Sequence, residues 1–122
     1  MAKEKIVSFR DLDVWKESHR LVLDIYRITR PFPAEERFGL VSQMRRAAVS
    51  VPANIAEGFK RKGTKDKANF YNMASSSLEE LRYYLILVRD LGYVAEVDCL
   101  EETCDHVARM LNGLMKAVLA RQ

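Results

Sequence analysis

The chain has 122 residues, 48% of them apolar and 30% charged, a length that fits one domain and a balance that supports a packed core, which argues against most multi-domain enzymes and against a disordered chain. Five Gly and three Pro are too few turn signals for a sandwich or barrel of many short strands, so an all-β fold is excluded. Twenty Lys and Arg against 17 Asp and Glu leave a net charge of +3, which permits a nucleic-acid partner without demanding one.

Breakers divide the chain into four long segments. The first, about residues 12–30, carries two adjacent apolar rows, Val14, Leu21, Ile25, Ile28 and Trp15, Val22, Tyr26, Thr29, whose spacing predicts a helix with a wide apolar face. Pro31-Phe32-Pro33 ends it, because Pro cannot continue a helix and restrains the residue before it. The second, about residues 37–58, places Val41, Met44, Ala48, Val51 and Ile55 at alternating steps of three and four. Pro52 interrupts this seam and predicts a kink near Ser50 or two shorter helices in line, with Gly58 as the end signal. The third, about residues 64–91, starts from Thr64 as N-cap and reads Phe70, Ala74, Ser77, Leu81, Tyr84, Val88 and Leu91 along one face. Gly92-Tyr93 forms the next turn, and the fourth segment, about residues 97–121, reads Val97, Leu100, Cys104, Val107, Leu111, Leu114 and Val118.

Four amphipathic helices with short connections predict an all-α, antiparallel up-down-up-down four-helix bundle as a single domain over residues 1–122. The apolar stripes exceed what such a core requires. Leu23, Leu40, Ile86, Leu87, Met110, Met115 and Leu119 flank the seams, and either widen the core or face other subunits. No run of about 18 uncharged apolar residues and no signal-peptide pattern occurs, so a cytoplasmic protein is expected. Cys99 and Cys104 lack zinc or redox spacing and are expected to be buried, reduced thiols.

Catalytic and metal-ligating patterns are sparse. No Glu-x-x-His pair of the di-iron bundle type and no Gly-rich phosphate loop occurs. His19 and His106 read as boundary residues, and Cys104, Asp105 and His106 point about 100° apart on a helix, so they form no nucleophile–base pair. Neither enzymatic activity nor a cofactor or metal is expected. The most distinctive local feature is the run from Lys60 to Lys67, in which Lys60, Arg61, Lys62, Lys65 and Lys67 face a single acid, Asp66. Charge is segregated along the chain: residues 1–62 hold 13 basic and 8 acidic side chains, the rest 7 and 9. Flexible cations at a helix–helix corner suit phosphate contacts through counterion release, and they equally suit a solvated loop. Arg45 and Arg46 either extend this patch or pair with Glu35 and Glu36.

A polar row, Gln43, Ser50, Asn54 and Glu57, runs beside the second seam. It is expected to bond Ser76, Ser77 or Glu80 on the third helix and to satisfy the carbonyl released by Pro52. A ligand or catalytic pocket built on Glu57 and Glu80 is the less favoured reading, because neither carboxylate has a His, Cys or metal partner.

The run from Leu40 to Gly58, LVSQMRRAAVSVPANIAEG, closely resembles the signature of the four-helix-bundle proteins encoded in intervening sequences of bacterial 23S ribosomal RNA genes. The opening from Phe9 to Lys16, the corner from Phe32 to Leu40 and the run from Phe70 to Leu81 resemble that family as well. The resemblance implies a bacterial bundle that assembles as a ring-like homopentamer and has no established enzymatic activity. It also implies kinship with accessory proteins of diversity-generating retroelements, basic pentamers that bind nucleic acid and a reverse transcriptase. One departure stands out: Ala74-Ser75-Ser76-Ser77 replaces the family's usual Ala-Arg-Gly-Ser, which removes one candidate phosphate contact. The resulting expectation is an oligomeric accessory protein that binds RNA or RNA–DNA through the basic corner, with a scaffold for a protein partner as the alternative.

Overall fold

A computed structural model describes residues 5–121, and among them every regular element is helical. Helices α1 (Asp13–Thr29), α2 (Leu40–Lys60), α3 (Thr64–Asp90) and α4 (Asp98–Leu119) are joined by short connections, with single 3-10 turns at Phe9–Asp11 and Ala34–Glu36. The first turn is held by a reciprocal cap. Ser8 accepts from the Arg10 N–H, and the Asp11 carboxylate accepts from the Ser8 and Val7 N–H groups at 2.9 Å, which holds its pKa below the usual value.

Each helix forms because its apolar residues recur at helical spacing and find a neighbouring stripe. α1 buries Val14, Leu21, Val22 and Ile25; its two buried hydroxyls, Ser18 and Thr29, donate to the carbonyls of Trp15 and Ile25 in their own helix. α2 buries Val41, Met44, Ala48, Val51 and Ile55, and α4 buries Leu100, Cys104, Val107, Leu111 and Val118, with Val97 buried at its N-cap, as the sequence spacing predicts. α3 differs. Its buried row is Tyr71, Ala74, Leu78, Leu81, Leu85 and Val88, rotated from the expected one. The sequence holds two interleaved rows, and burying Leu78 and Leu85 removes more apolar surface from water than burying Ser77 and Tyr84 would. Those two hydroxyl residues instead reach the edge facing α2.

Cross-contacts fix the topology. Gln43 meets Tyr84, Ser50 meets Ser77, and Gly58 meets Tyr71, so residue numbers rise on α2 as they fall on α3 and the two run antiparallel. α2 and α3 share the most extensive packing, α1 and α3 each touch both α2 and α4, and the diagonal pairs do not meet. The α3–α4 turn closes as a Schellman motif around Gly92 at φ 80°, with the Tyr93 N–H on the Val88 carbonyl and the Gly92 N–H on that of Arg89.

Several local expectations are corrected. α2 is unbroken through Pro52, which is buried in the core, so the alternative of two helices does not occur. Gly58 is no end signal: α2 continues to Lys60, and Gly58 is buried where α3 crosses it. A Cβ there would lie 2.6 Å from Cε1 and 2.9 Å from Cδ1 of Tyr71 and 3.1 Å from Cβ of Phe70, so only glycine permits this approach. Thr64 opens α3, while Gly63 holds the N-cap position without a side-chain bond. Cys104 is buried but Cys99 is exposed, since five residues turn a helix by about 140°. Of the flanking apolar residues, Leu40, Met110 and Met115 pack against the core, whereas Leu23, Ile86 and Leu119 remain exposed.

Gly58→Ala is expected to lower the unfolding free energy by about 1–2 kcal/mol in urea despite its better helix propensity. Gly113→Ala, with nothing within 4 Å of its added methyl group, is expected to raise it by about 0.5–1 kcal/mol. Burial pushes the Cys104 thiol up from 9.0 to about 12, so the native state keeps a proton that the unfolded chain loses. Stability then falls as pH rises between those values, and Cys104→Ala removes that component of the slope. A disulfide reagent at about pH 8 should label Cys99 alone in the native protein and both thiols after unfolding.

Candidate nucleic-acid interface

α2 ends at Lys60, Arg61 leaves the helical conformation with ψ 145°, and α3 begins at Thr64, so a three-residue connection turns the chain at one end of the bundle. The last carbonyls of α2 lack intrahelical donors there. The Arg61 N–H caps the Gly58 carbonyl at 3.2 Å, and Lys67, one turn into α3, adds its Nζ, which donates to the carbonyls of Phe59 at 2.7 Å and Gly58 at 3.1 Å and lies 5.4 Å from the Phe59 ring centroid. A cation at a helix C-terminus also complements the helix dipole. Partial burial, with Arg121 nearby, lowers the Lys67 pKa. Arg61 is held too, with its guanidinium 4.6 Å from the Phe70 ring centroid and 3.3 Å from the Glu57 carboxylate.

The five cations of the corner therefore divide by role. Lys67 and Arg61 build the turn, while Lys60, Lys62 and Lys65 are exposed and make no hydrogen bond or ion pair among the described residues. Their charge is available to an external anion.

Arg45 and Arg46 do not join them. They lie about fifteen residues back along α2, or about 22 Å. Arg45 bonds the end of α1, with Nε on Thr29 Oγ1 at 3.0 Å, Nη2 on the Tyr26 carbonyl at 3.3 Å and the guanidinium 4.4 Å from the Tyr26 ring centroid. Arg46 is exposed. Neither pairs with Glu35 or Glu36 among the described residues; Glu36 accepts from the Tyr93 hydroxyl at 2.9 Å instead, which raises the phenol pKa.

The polar row makes part of the expected network. Ser50 and Ser77 hydroxyls meet at 2.8 Å, and Asn54 Nδ2 donates to the Ser50 hydroxyl at 2.9 Å and the Ser50 carbonyl at 2.8 Å. The carbonyl that loses its donor to Pro52 is that of Ala48, four residues back, so Asn54 serves a different carbonyl from the one expected. Gln43 and Glu80 are joined by the Tyr84 hydroxyl, 3.1 Å and 2.7 Å away, and the bond to Glu80 raises the Tyr84 pKa. Ser76 is exposed and takes no part. Glu57 belongs to the Arg61 pair, about ten residues of helix, or about 15 Å, from the level of Glu80, so the two carboxylates form no shared site.

His19 is exposed and stacked on Trp15 with 5.1 Å between ring centroids. Sequence reasoning missed the bridging role of Tyr84, which periodicity had assigned to the apolar seam, and the anchorage of Arg45 by Thr29. The signal for both was a hydroxyl within an otherwise apolar row. It also missed Arg82, which links α3 to α4 through Asp105 and pairs with Glu79 at 3.3 Å.

The fold and this corner define the class: a small antiparallel four-helix bundle with a cation-bearing helix–helix turn. The chain belongs to the 23S rRNA-intervening sequence protein family, whose model matches residues 10–113. Its fold is similar to that of a protein of unknown function from the S23 ribosomal protein family of Bacteroides thetaiotaomicron VPI-5482, with a TM-score of 0.77 and 22% identity over 84% of this chain and 95% of that one. No curated protein matches the chain. Among the described residues no helix is long and apolar enough to cross a membrane.

Lys67→Met is expected to cost about 1–2 kcal/mol of stability, because it leaves the half-buried Phe59 carbonyl without a donor and removes one of the two donors to the Gly58 carbonyl, which keeps the Arg61 N–H. Lys60→Ala is expected to change stability by less than about 0.5 kcal/mol. Urea unfolding of the two variants tests the division between structural and free cations.

Proposed function

We propose that this protein is a non-enzymatic, oligomeric nucleic-acid-binding accessory protein of the cytoplasm, contacting structured RNA or RNA–DNA through its α2–α3 corner. The observation that carries this reading is the separation of roles at the turn: Arg61 and Lys67 are occupied in building it, while Lys60, Lys62 and Lys65 have no partner among the described residues. Lysines displayed from a rigid corner neutralise phosphates, release counterions and carry little base information. The family's association with ribosomal RNA genes and its resemblance to retroelement accessory proteins support the same partner.

Oligomerisation is proposed from the exposed apolar residues. Leu23 on α1, Met73, Tyr83 and Ile86 on α3 and Leu119 on α4 are all accessible in the single chain, and apolar faces of this kind mark interfaces. A homopentameric ring would repeat the corner five times and multiply its weak affinity. A second reading, a scaffold that recruits a protein such as a reverse transcriptase, is favoured by Phe38, which is 89% exposed beside Arg37.

Binding of a structured RNA measured against salt tests the proposal. Changing Lys60, Lys62 and Lys65 together to Ala is expected to reduce the log–log salt slope by about 2–3 and to weaken binding similarly for unrelated sequences. An unchanged slope would remove the corner from the interface. Failure of the wild-type oligomer to retard RNA or DNA at low salt favours the scaffold.

A further inference from the structure

Behind the basic corner, where the start of α3 and the end of α4 meet the segment preceding α1, lies a pocket of about 320 Å³. Its walls are apolar, formed by Leu12, Phe59, Leu114 and Val118, and its polar groups are Lys67, Tyr71 and Arg121. Among the described residues no Asp or Glu lines it. Two cations therefore share a partly enclosed space with no carboxylate among the described residues to balance them.

The tyrosine is the most informative of the three. Tyr71 is 1% exposed, and its hydroxyl has no hydrogen-bond partner among the described residues. No wholly buried side-chain N or O lacks a hydrogen-bond partner among the described residues, and this hydroxyl belongs to a residue in the wall of an open pocket. Burial raises its pKa, while the Arg121 charge acts in the opposite direction, and both residues line the same pocket. Lys67 uses two of its three N–H groups on the Gly58 and Phe59 carbonyls, leaving one free. Arg121 makes no ion pair among the described residues.

We infer that this pocket binds a small amphipathic monoanion, a carboxylate whose hydrocarbon part fills the space between Phe59, Leu114 and Val118. Its head accepts from the Tyr71 hydroxyl, the remaining Lys67 N–H and the Arg121 guanidinium. The volume lies at the lower end of the usual range for small-molecule sites, about 300–1,000 Å³, and suits a chain of about eight carbons. Charge-assisted hydrogen bonds in a half-buried setting give the head its selectivity for an anion over a neutral alcohol. This inference does not depend on nucleic-acid binding, although Lys67 places the ligand directly beneath the corner.

Octanoate titrated into the intact protein, followed by calorimetry and by chemical shifts, tests it. One saturable site per chain is expected, with shifts concentrated on Leu114, Val118 and Lys67, and 1-octanol binding at least about tenfold more weakly. Tyr71→Phe keeps the ring that packs on Gly58, and Arg121→Ala alters an exposed residue. Each should weaken octanoate binding about tenfold while leaving octanol unchanged. Absence of saturation, equal affinity for octanol, wild-type affinity in either variant, or shifts scattered over Leu23, Ile86 and Leu119 would each overturn the assignment.

Discussion

The close approach of α2 and α3 at Gly58 governs the arrangement of this end of the molecule. With no Cβ on Gly58, the Tyr71 ring lies directly against the α2 backbone, and the two helices draw together where a three-residue turn joins them. Three consequences follow from that proximity. Lys67 comes within reach of the last α2 carbonyls, Phe70 comes under the Arg61 guanidinium, and Tyr71 joins the end of α4 in lining one pocket. A larger residue at position 58 would separate the helices and disturb all three at once.

The same constraint explains why a strongly basic turn is compatible with a folded corner. Five cations and one acid in eight residues repel one another. Two of the five are neutralised locally: Lys67 by the C-terminal dipole of α2 and Arg61 by Glu57 and an aromatic face. The other three point to solvent, where screening makes their repulsion cheap at physiological ionic strength. The chain thereby keeps a concentrated positive charge at one end without weakening the core that supports it.

Along the rest of the α2–α3 contact, hydroxyls take over from glycine. Ser50 with Ser77 and Gln43 with Tyr84 bond across the edge of the core, and Glu80 accepts from Tyr84 within α3. Such bonds add modest stability each, but shifting the helices by one turn would break both the Ser50–Ser77 and the Tyr84–Gln43 bond, so they specify register. Pro52 lies in this stretch, buried, and α2 stays continuous through it.

Helix number, order and most seam positions were legible in the sequence because helical periodicity is local: the burial of Met44, Val51 and Ile55 on α2, or Cys104, Val107 and Leu111 on α4, follows from spacing alone. The basic run and the polar row were equally visible as composition. Their division was not. Whether Lys67 or Lys65 is the free cation, whether Arg45 extends the patch or anchors α1, and whether α3 buries Tyr84 or Leu85 each depend on what a neighbouring helix presents across the gap. Periodicity names a face only to within a residue or so, and on α3 two apolar rows compete. Gly58 marks the same boundary. Sequence alone identified a glycine near a helix end, whereas only the packed structure showed that its missing side chain sets the distance between two helices, because that distance belongs to no single segment.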